Sequence, residues 1–313
     1  APTRELAGQI GDSLRTYGRH MHLRTTVVFG GASIRPQIQK LARGVHALVA
    51  TPGRLIDLMN QGHVWLDAVE IFILDEADRM LDMGFMPDVR RIIRSCAKKR
   101  QNMLFSATIG PEIRRVADWV LHDPVEILIG GGKAPAETIF HAMYPVDERQ
   151  KFDLLLAILK EIDYKSVIIF CRTKVGADII ARWLDAAEHS TAILHSDRTQ
   201  KDREKALLGF RSGKVEILVA TDIVARGIDI AGVSHVINYN IPENPGDYVH
   251  RIGRTGRMDN LGDAVTLYTA SDQTFLRAIE NLIGRTIERK TLDSFEYNWS
   301  PILEEKKPQS KRR

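Results

Sequence analysis

Three carboxylates follow a short apolar run in the segment FILDEADRML, residues 72–81. Asp75 and Glu76 come directly after the apolar residues, and Asp78 lies two positions further on. A carboxylate at the end of an apolar strand is a common ligand for Mg²⁺ beside phosphates, usually through water. A second carboxylate beside it can orient or deprotonate a water molecule. An acid-rich helix start is the alternative, because acidic side chains favour the first turn of a helix.

A second segment, HRIGRTGR, runs from His250 to Arg257 and contains three arginines and two glycines. Glycines let the backbone fold tightly, and arginine makes fork-like contacts to phosphate. Arg254 and Arg257 are three residues apart, so both could reach one γ-phosphate. Arginines in that role accelerate phosphoryl transfer by roughly 10³–10⁵-fold. A basic surface turn that binds any anion is the alternative interpretation.

Apolar runs rich in Val, Ile and Leu alternate with segments of helical periodicity, which predicts parallel β-sheets covered by helices. The fold class is therefore α/β. The predicted strands are Thr25–Phe29, Ala47–Ala50, Glu70–Leu74, Asn102–Ser106, Ser166–Phe170, Thr191–His195, Glu216–Ala220, His235–Tyr239 and Ala264–Tyr268. Helices are predicted at KFDLLLAILKEI and GADIIARWLDAAE.

Short polar motifs come at the ends of six predicted strands. They are TPGR, DEAD and SAT in the first half of the chain, and CRT, HSD and TD in the second half. The carboxyl ends of parallel strands form the ligand crevice of open α/β sheets. We therefore expect one such edge in each half, and a composite cleft where the two edges face each other.

The length of 313 residues predicts two domains, since one domain takes roughly 150 residues. The glycine-rich segment Ile129–Thr138 suits a flexible linker between them. No apolar stretch reaches the roughly 18 residues of a membrane span. The two cysteines, Cys96 and Cys171, lie far apart, so we expect buried small hydrophobes in a reducing, cytoplasmic compartment.

The end of the chain is basic, because residues 285–313 contain eight Lys or Arg against five Asp or Glu. The last ten residues, EEKKPQSKRR, hold no large hydrophobic side chain and cannot order themselves by burial. A solvated tail is the favoured interpretation, and a basic arm that touches phosphates is the alternative.

Nine motifs in this order resemble the DEAD-box RNA helicases of superfamily 2 over essentially the whole chain. The motifs are PTREL (2–6), GG (30–31), TPGR (51–54), DEAD (75–78), SAT (106–108), FCRT (170–173), QKDR (200–203), ATDIVARGID (220–229) and HRIGRTGR (250–257). The phrases MGFMPDV and PENPGDYVHRIGRTGR are similar to the bacterial RhlE-like branch.

This resemblance implies two RecA-like domains, with ATP and Mg²⁺ bound between them and single-stranded RNA lying across both. The implied boundaries are residues 1–129 for a partial first domain, 130–138 for the linker, 139–285 for the second domain and 286–313 for a basic tail. Contacts to phosphate and 2′-OH give little sequence preference, so we expect RNA binding independent of sequence.

The resemblance also implies roles for individual residues. Asp75 and Glu76 would handle Mg²⁺, through water, and the attacking water, and Ser106, Thr108 and Asp78 would couple the ATP state to domain closure. Besides Asp75 and Glu76, the residues implied in catalysis or ATP binding are Gln200, Gly227, Asp229, His250, Arg254 and Arg257. The implied RNA contacts are Arg4, Gly31, Thr51, Arg54, Thr173, Arg203, Thr221 and Gly227.

Two departures from the family pattern stand out. The phosphate-binding loop G-x-x-x-x-G-K-[ST] is missing, because the only Gly-Lys pairs, Gly132-Lys133 and Gly213-Lys214, lack its other residues. We therefore expect a fragment that lacks its first strand, with an open sheet edge, an exposed core and weak or no ATP turnover. A lesser departure is Ser196, where the family has glycine after His195.

Two alternatives to the helicase remain open. A non-catalytic RNA-binding clamp would need no phosphate loop, although the hydrolysis residues Glu76, His250, Arg254 and Arg257 are all present. The other alternative is a DNA-directed helicase of superfamily 2. The motifs disfavour it, because such helicases usually have different residues at these positions.

Overall fold

A computed structural model describes residues 1–128, 139–222, 230, 232–255 and 262–298. These residues form two compact units, the first made of residues 1–128 and the second of the described residues from 139 onward. The predicted linker at 130–138 and the last fifteen residues of the predicted tail lie outside the described ranges. Within those ranges, we find no helix whose length and apolar character would let it cross a membrane.

The first unit contains ten elements, in which helices and strands alternate except where α5 follows α4. In chain order they are α1 (Arg4–Tyr17), β1 (Thr25–Val28), α2 (Ile34–Leu41), β2 (Ala47–Ala50), α3 (Pro52–Asn60), β3 (Ile71–Leu74), α4 (Ala77–Asp82), α5 (Met86–Ser95), β4 (Gln101–Leu104) and α6 (Pro111–Val120). Strand β1 pairs with β2, and β3 pairs with β4, each in parallel register. The motif-bearing ends of each pair therefore lie at one edge.

Helices cover the two strand pairs of the first unit unequally. One apolar cluster joins β1 to α3 through Val28 and Leu58, and another joins β3 to α6 through Leu74 and Val116. On β3, however, Ile71 is 55% and Ile73 is 53% exposed. Ile71 and Ile73 are two residues apart and so lie on the same face of β3, which is open to solvent at these positions.

The second unit contains one seven-stranded sheet. Its elements are β5 (Ile139–Pro145), α7 (Lys151–Glu161), β6 (Val167–Cys171), α8 (Lys174–Ala186), β7 (Thr191–Leu194), α9 (Gln200–Arg211), β8 (Ile217–Thr221), β9 (His235–Asn238), α10 (Pro245–Ile252), β10 (Gly262–Tyr268), α11 (Gln273–Ile283) and β11 (Glu288–Arg289), with two short 3-10 helices. The strand order is β11-β5-β10-β9-β6-β8-β7, and all six pairings are parallel.

Two apolar clusters lie on opposite faces of this sheet. Val265 and Leu267 of β10 join the cluster that contains α7 and α8, whereas Ala264 and Tyr268 join the cluster that contains α10 and α11. Side chains alternate between the faces of a strand, so this division follows directly from strand geometry. Burial on both faces explains why the central strands are continuous apolar runs.

All nine predicted strands are present, with ends that differ by at most two residues. The sequence did not predict β5, in which His141 interrupts the apolar pattern, or the two-residue strand β11. Residues 286–298 belong to the second unit, because β11 pairs with β5 and Leu292 is buried in the α7–α8 cluster. The predicted start of the basic tail at 286 is therefore too early. Cys96 and Cys171 are both free and buried, as expected.

Candidate functional site

The carboxylates of the DEAD motif lie directly beyond the last residue of β3. Asp75 Oδ1 accepts a hydrogen bond from the Glu76 backbone N–H at 3.0 Å. Glu76 adopts a left-handed backbone conformation, with φ 51° and ψ 55°, and precedes α4. Its carboxylate pairs with Arg79 at 3.0 Å, and the Arg79 side chain is only 4% exposed. A non-glycine residue in this conformation stores strain of the kind found at functional sites.

The environment of Asp75 suits a nearby cation. Burial raises the pKa of Asp75, and the adjacent Glu76 carboxylate raises it further. Both effects penalise the ionised carboxylate, and a divalent cation would offset them. Carboxylate oxygens are the ligands that Mg²⁺ takes in proteins, commonly one or two with several waters retained. The residues at this position therefore fit Mg²⁺.

Hydrogen bonds join the DEAD motif to the SAT motif that follows β4. Asp78 Oδ2 accepts from the backbone N–H of Thr108 at 3.0 Å and from its hydroxyl at 2.9 Å. The Ser106 hydroxyl donates to the Thr108 carbonyl at 2.7 Å. Asp78 is 7% exposed, so these contacts are largely screened from water. The three residues predicted to couple the ATP state to domain closure, Asp78, Ser106 and Thr108, thus form one hydrogen-bonded set.

A second set of predicted residues gathers where β1 and β2 end. The Arg4 guanidinium lies against Gly31, where an added Cβ would approach Nη1 to 2.1 Å. Gly31 has φ +71°, so this position needs glycine for both space and conformation. Arg54 Nη2 donates to the Ala32 carbonyl at 3.2 Å, and Thr51 precedes α3 at the end of β2. The Nη1 atom of Arg54 is buried with no hydrogen-bond partner among the described residues.

The second unit has a cleft of about 570 Å³ at the carboxyl ends of β6 and β8. It contains Thr173 and Thr221, two of the residues predicted to contact RNA. The Thr173 hydroxyl accepts from Gly176 N–H at 3.0 Å and so caps α8. The residues around the cleft are Arg172, Thr173, Lys174, Val175, Asp197, Thr221, Asp222 and Asp247.

A buried histidine supports one side of this region. His195 is 2% exposed, and its Nδ1 accepts from the Asp197 backbone N–H at 3.3 Å. This assigns the ring proton to Nε2, which lies 2.9 Å from Asp178 Oδ1. Burial alone would raise the pKa of Asp178, but hydrogen bonds from His195 and Arg198 lower it overall. Asp197 in turn pairs with Lys174 at 2.6 Å. The backbone of Ser196 does not have a positive φ, so this turn does not require the family's usual glycine.

Sequence reasoning missed Arg251, which is 2% exposed and makes four hydrogen bonds. Its guanidinium donates two hydrogen bonds to the Asp222 carboxylate, at 2.6 and 2.7 Å. It also donates to Asn238 Oδ1 and to the Asn240 carbonyl. The group also lies 5.0 Å from the Phe170 ring centroid. The sequence showed three arginines in HRIGRTGR, but it could not show which of them is buried, because that depends on packing between distant segments.

The remaining predicted residues lie in several places. His250 is in the last turn of α10, and the Arg254 carbonyl accepts from Val233 N–H, near the amino end of β9. Gln200 is the first residue of α9 and hydrogen-bonds Glu204. Arg203 lies in the first turn of α9 and is 4% exposed, and its contact with RNA stays a prediction. The predicted residues outside the described ranges are Gly227, Asp229 and Arg257.

Comparisons with known proteins agree with these motifs. Residues 1–116 match the DEAD/DEAH box helicase model, and residues 150–259 match the helicase conserved C-terminal domain. Dbp5 of S. cerevisiae, solved bound to RNA and ADP BeF3, is 30% identical with a TM-score of 0.81, covering 92% of this chain and 75% of that one. The chain belongs to the DEAD-box helicase family.

Two further kinds of relative agree with this assignment. A DEAD box protein from Methanococcus jannaschii is 36% identical, with a TM-score of 0.51 and coverage of 93% and 78% of the two chains. ATP-dependent RNA helicase CshA from Limosilactobacillus reuteri is 42% identical over 282 residues, and CshA from Listeria monocytogenes is 42% identical over 288. These alignments include 90% and 92% of this DEAD-box chain but 57% and 55% of the CshA chains. The chain thus spans little more than half the length of these relatives.

Proposed function

We propose that the chain forms the core of an ATP-dependent RNA helicase, which clamps RNA and opens short duplexes locally. The observation that carries this proposal is the convergence of motif residues at the carboxyl ends of strands in both units. In the first unit, Arg4, Gly31 and Arg54 gather at one such edge. In the second, Thr173 and Thr221 line one cleft.

RNA would be held through its phosphates and 2′-OH groups at these edges, with little dependence on base sequence. The Arg54 guanidinium, which lies beside the Ala32 carbonyl at this edge, supports this assignment because arginine makes charge-assisted hydrogen bonds to phosphate. Binding should weaken with salt by roughly 0.7 log units per tenfold salt increase for each phosphate contact. A measured affinity that does not change with salt would contradict phosphate contacts. Arg54→Ala should lower affinity for every RNA sequence alike.

ATP and Mg²⁺ are the cofactors of the proposed reaction. Asp75 and Glu76 would hold Mg²⁺ through water, and a carboxylate there would orient the attacking water. Asp229 would contact the ATP ribose, and Arg254 and Arg257 would stabilise charge on the transferred phosphoryl group. Gln200 and His250 would help to order the water. In a form of the protein that hydrolyses ATP, Arg254→Ala should slow hydrolysis and leave RNA affinity unchanged, whereas loss of RNA binding would assign Arg254 to RNA.

We propose that the 313-residue chain hydrolyses ATP weakly or not at all, because it contains no G-x-x-x-x-G-K-[ST] sequence. Backbone N–H groups of that loop cradle the nucleotide phosphates, so its absence removes most of the phosphate binding. The test is ATP hydrolysis by the purified chain with and without RNA. Clear RNA-stimulated hydrolysis would overturn this part of the proposal and leave the helicase assignment intact.

The same missing loop favours a second candidate, a non-catalytic RNA-binding clamp. The presence of Glu76 and of the arginines in the HRIGRTGR segment argues against this candidate, because a clamp that does not hydrolyse ATP needs none of them. Unwinding by a form that hydrolyses ATP decides between the two, and equal activity on pure DNA duplexes would contradict the RNA assignment. Membership of the RhlE-like branch is also a proposal, supported by the two phrases given above.

A further inference from the structure

An unusually basic stretch occupies the first unit away from its motifs. Residues 13–56 contain seven Lys or Arg and three His but no Asp or Glu, although acidic residues fill 40 of the 313 positions of the chain. Only Arg54 of these seven cations has a role in the proposed function. The other basic side chains therefore need a separate explanation.

Much of this charge collects where β1 and β2 begin. Arg24 immediately precedes β1, and His46 immediately precedes β2. The Arg24 backbone N–H donates to His46 Nδ1 at 3.0 Å, and Arg24 Nε donates to the Gly44 carbonyl at 2.9 Å. Arg43, in the same turn before β2, is exposed. The start of this strand pair thus presents two arginines, Arg24 and Arg43, beside His46.

The turn between α1 and β1 adds to this surface. Tyr17 is the last residue of α1 and is 81% exposed. Arg19 Nε donates to His20 Nε2 at 3.0 Å, and both residues are exposed. An exposed aromatic ring among cations is typical of surfaces that bind single-stranded nucleic acid. We call this surface the basic edge, and its residues are Tyr17, Arg19, His20, Arg24, Arg43 and His46.

The basic edge is separate from the motif-bearing edge of the same unit. Helix α1 begins at Arg4, whose guanidinium lies against Gly31, and ends at Tyr17. Its 14 residues rise about 1.5 Å each, so roughly 20 Å separate the two ends. The same nucleotide phosphate cannot contact both edges. A longer RNA strand can reach from one edge to the other.

We propose that the basic edge is a second RNA-binding surface, which contacts single-stranded RNA flanking the segment held at the motif-bearing edge. Arginines neutralise phosphates and release counterions, and the Tyr17 ring stacks on a base. The inference rests on the proposed function, because it assumes that RNA is the nucleic acid bound at the motif-bearing edge.

The test compares RNA affinities of the full chain for two lengths of single-stranded RNA. Lengths of roughly 6 and roughly 20 nucleotides bracket the footprints of about 4–16 nucleotides that single-strand-binding folds cover. The test variant is Arg19→Gln with Arg43→Gln. The control, Arg94→Gln with Arg114→Gln, removes the same charge from exposed positions on α5 and α6. A third variant, Arg54→Ala, reports on the motif-bearing edge.

The test variant should bind the long RNA about 25-fold more weakly than the wild type at 0.1 M salt, because each phosphate contact is worth about fivefold there. The slope of the logarithm of its long-RNA affinity against the logarithm of the salt concentration should be smaller in magnitude by about 1.4. Its affinity for the short RNA should be unchanged. Tyr17→Ala should weaken long-RNA binding roughly fivefold or more, whereas Tyr17→Phe should retain it.

Four outcomes would overturn the inference. Equal weakening by the test and control variants would mean that only net charge matters. Equal weakening for both RNA lengths would place the basic edge within the main site. If Arg54→Ala weakens binding but the test variant does not, the second surface fails while the proposed function stands. Absence of RNA binding by the wild-type chain would reject both.

Discussion

Asp78 and Thr108 are separated by 30 residues, yet the Asp78 carboxylate accepts two hydrogen bonds from Thr108, from its backbone N–H at 3.0 Å and from its hydroxyl at 2.9 Å. The contact ties the segment after β3 to the segment after β4. The DEAD motif carries residues proposed to act on ATP, and the SAT motif carries residues expected to couple the ATP state to domain closure. A displacement at either one would therefore be transmitted to the other through this carboxylate.

Thr108→Ala should destabilise the first unit by about 1 kcal/mol, because Asp78 loses one of its two hydrogen bonds from Thr108. Thr108→Ser retains the hydroxyl and should cost much less. Free energies of unfolding from urea titrations test this difference. Equal loss in both variants would mean that the threonine methyl group, and not its hydroxyl, supplies the stability.

Arg251→Ala should destabilise the second unit by roughly 3–5 kcal/mol, since it leaves the Asp222 carboxylate without its buried partner. Arg149→Ala, at an exposed position in the same unit, serves as the control and should change stability by less than about 0.5 kcal/mol. Urea unfolding measures both. Adding Asp222→Ala to Arg251→Ala should recover part of the loss, and a double variant as unstable as the sum of the two would deny the coupling.

Asp75→Asn should raise the melting temperature near neutral pH. Burial and Glu76 raise the pKa of Asp75 in the folded state, so the folded protein binds its proton more tightly than the unfolded chain. Stability therefore falls as pH rises from about 4 through that raised pKa. The asparagine variant does not lose stability in this way. The difference between its melting temperature and that of the wild type should therefore grow between pH 4 and 7. Melting curves across this range test the prediction, and a difference that does not change with pH would refute it.

Asp178→Asn should reduce the loss of stability that the protein shows as the pH falls into the acid range. Hydrogen bonds from His195 and Arg198 outweigh burial and lower the pKa of Asp178, so its contribution is present above the unfolded pKa of about 3.9. That contribution is lost as pH falls through the lower folded pKa. Melting temperatures of wild type and variant should converge below pH 4. Asp293→Asn, exposed in the same unit, is the control and should leave the profile unchanged.

Much of the fold could be predicted from local sequence patterns. Strands such as Val167–Cys171 are continuous apolar runs between helical segments, and their alternation predicts parallel sheets. Strand β5 could not be predicted in this way, because its polar His141 is accommodated by Tyr248, a residue 107 positions away, at 3.1 Å. The short strand β11 depends on pairing with β5, and so no local pattern marks it.

The sequence by itself determined the order of the motifs, their position at strand ends and membership of the DEAD-box family, because residue types and spacing along the chain carry that information. Tertiary structure alone decided which motif residues meet: Asp78 pairs with Thr108, and Arg251 is buried against Asp222. It also decided that Arg203 is buried. Such pairings arise from packing between distant segments, where burial makes an unpaired polar group costly and so selects the partner.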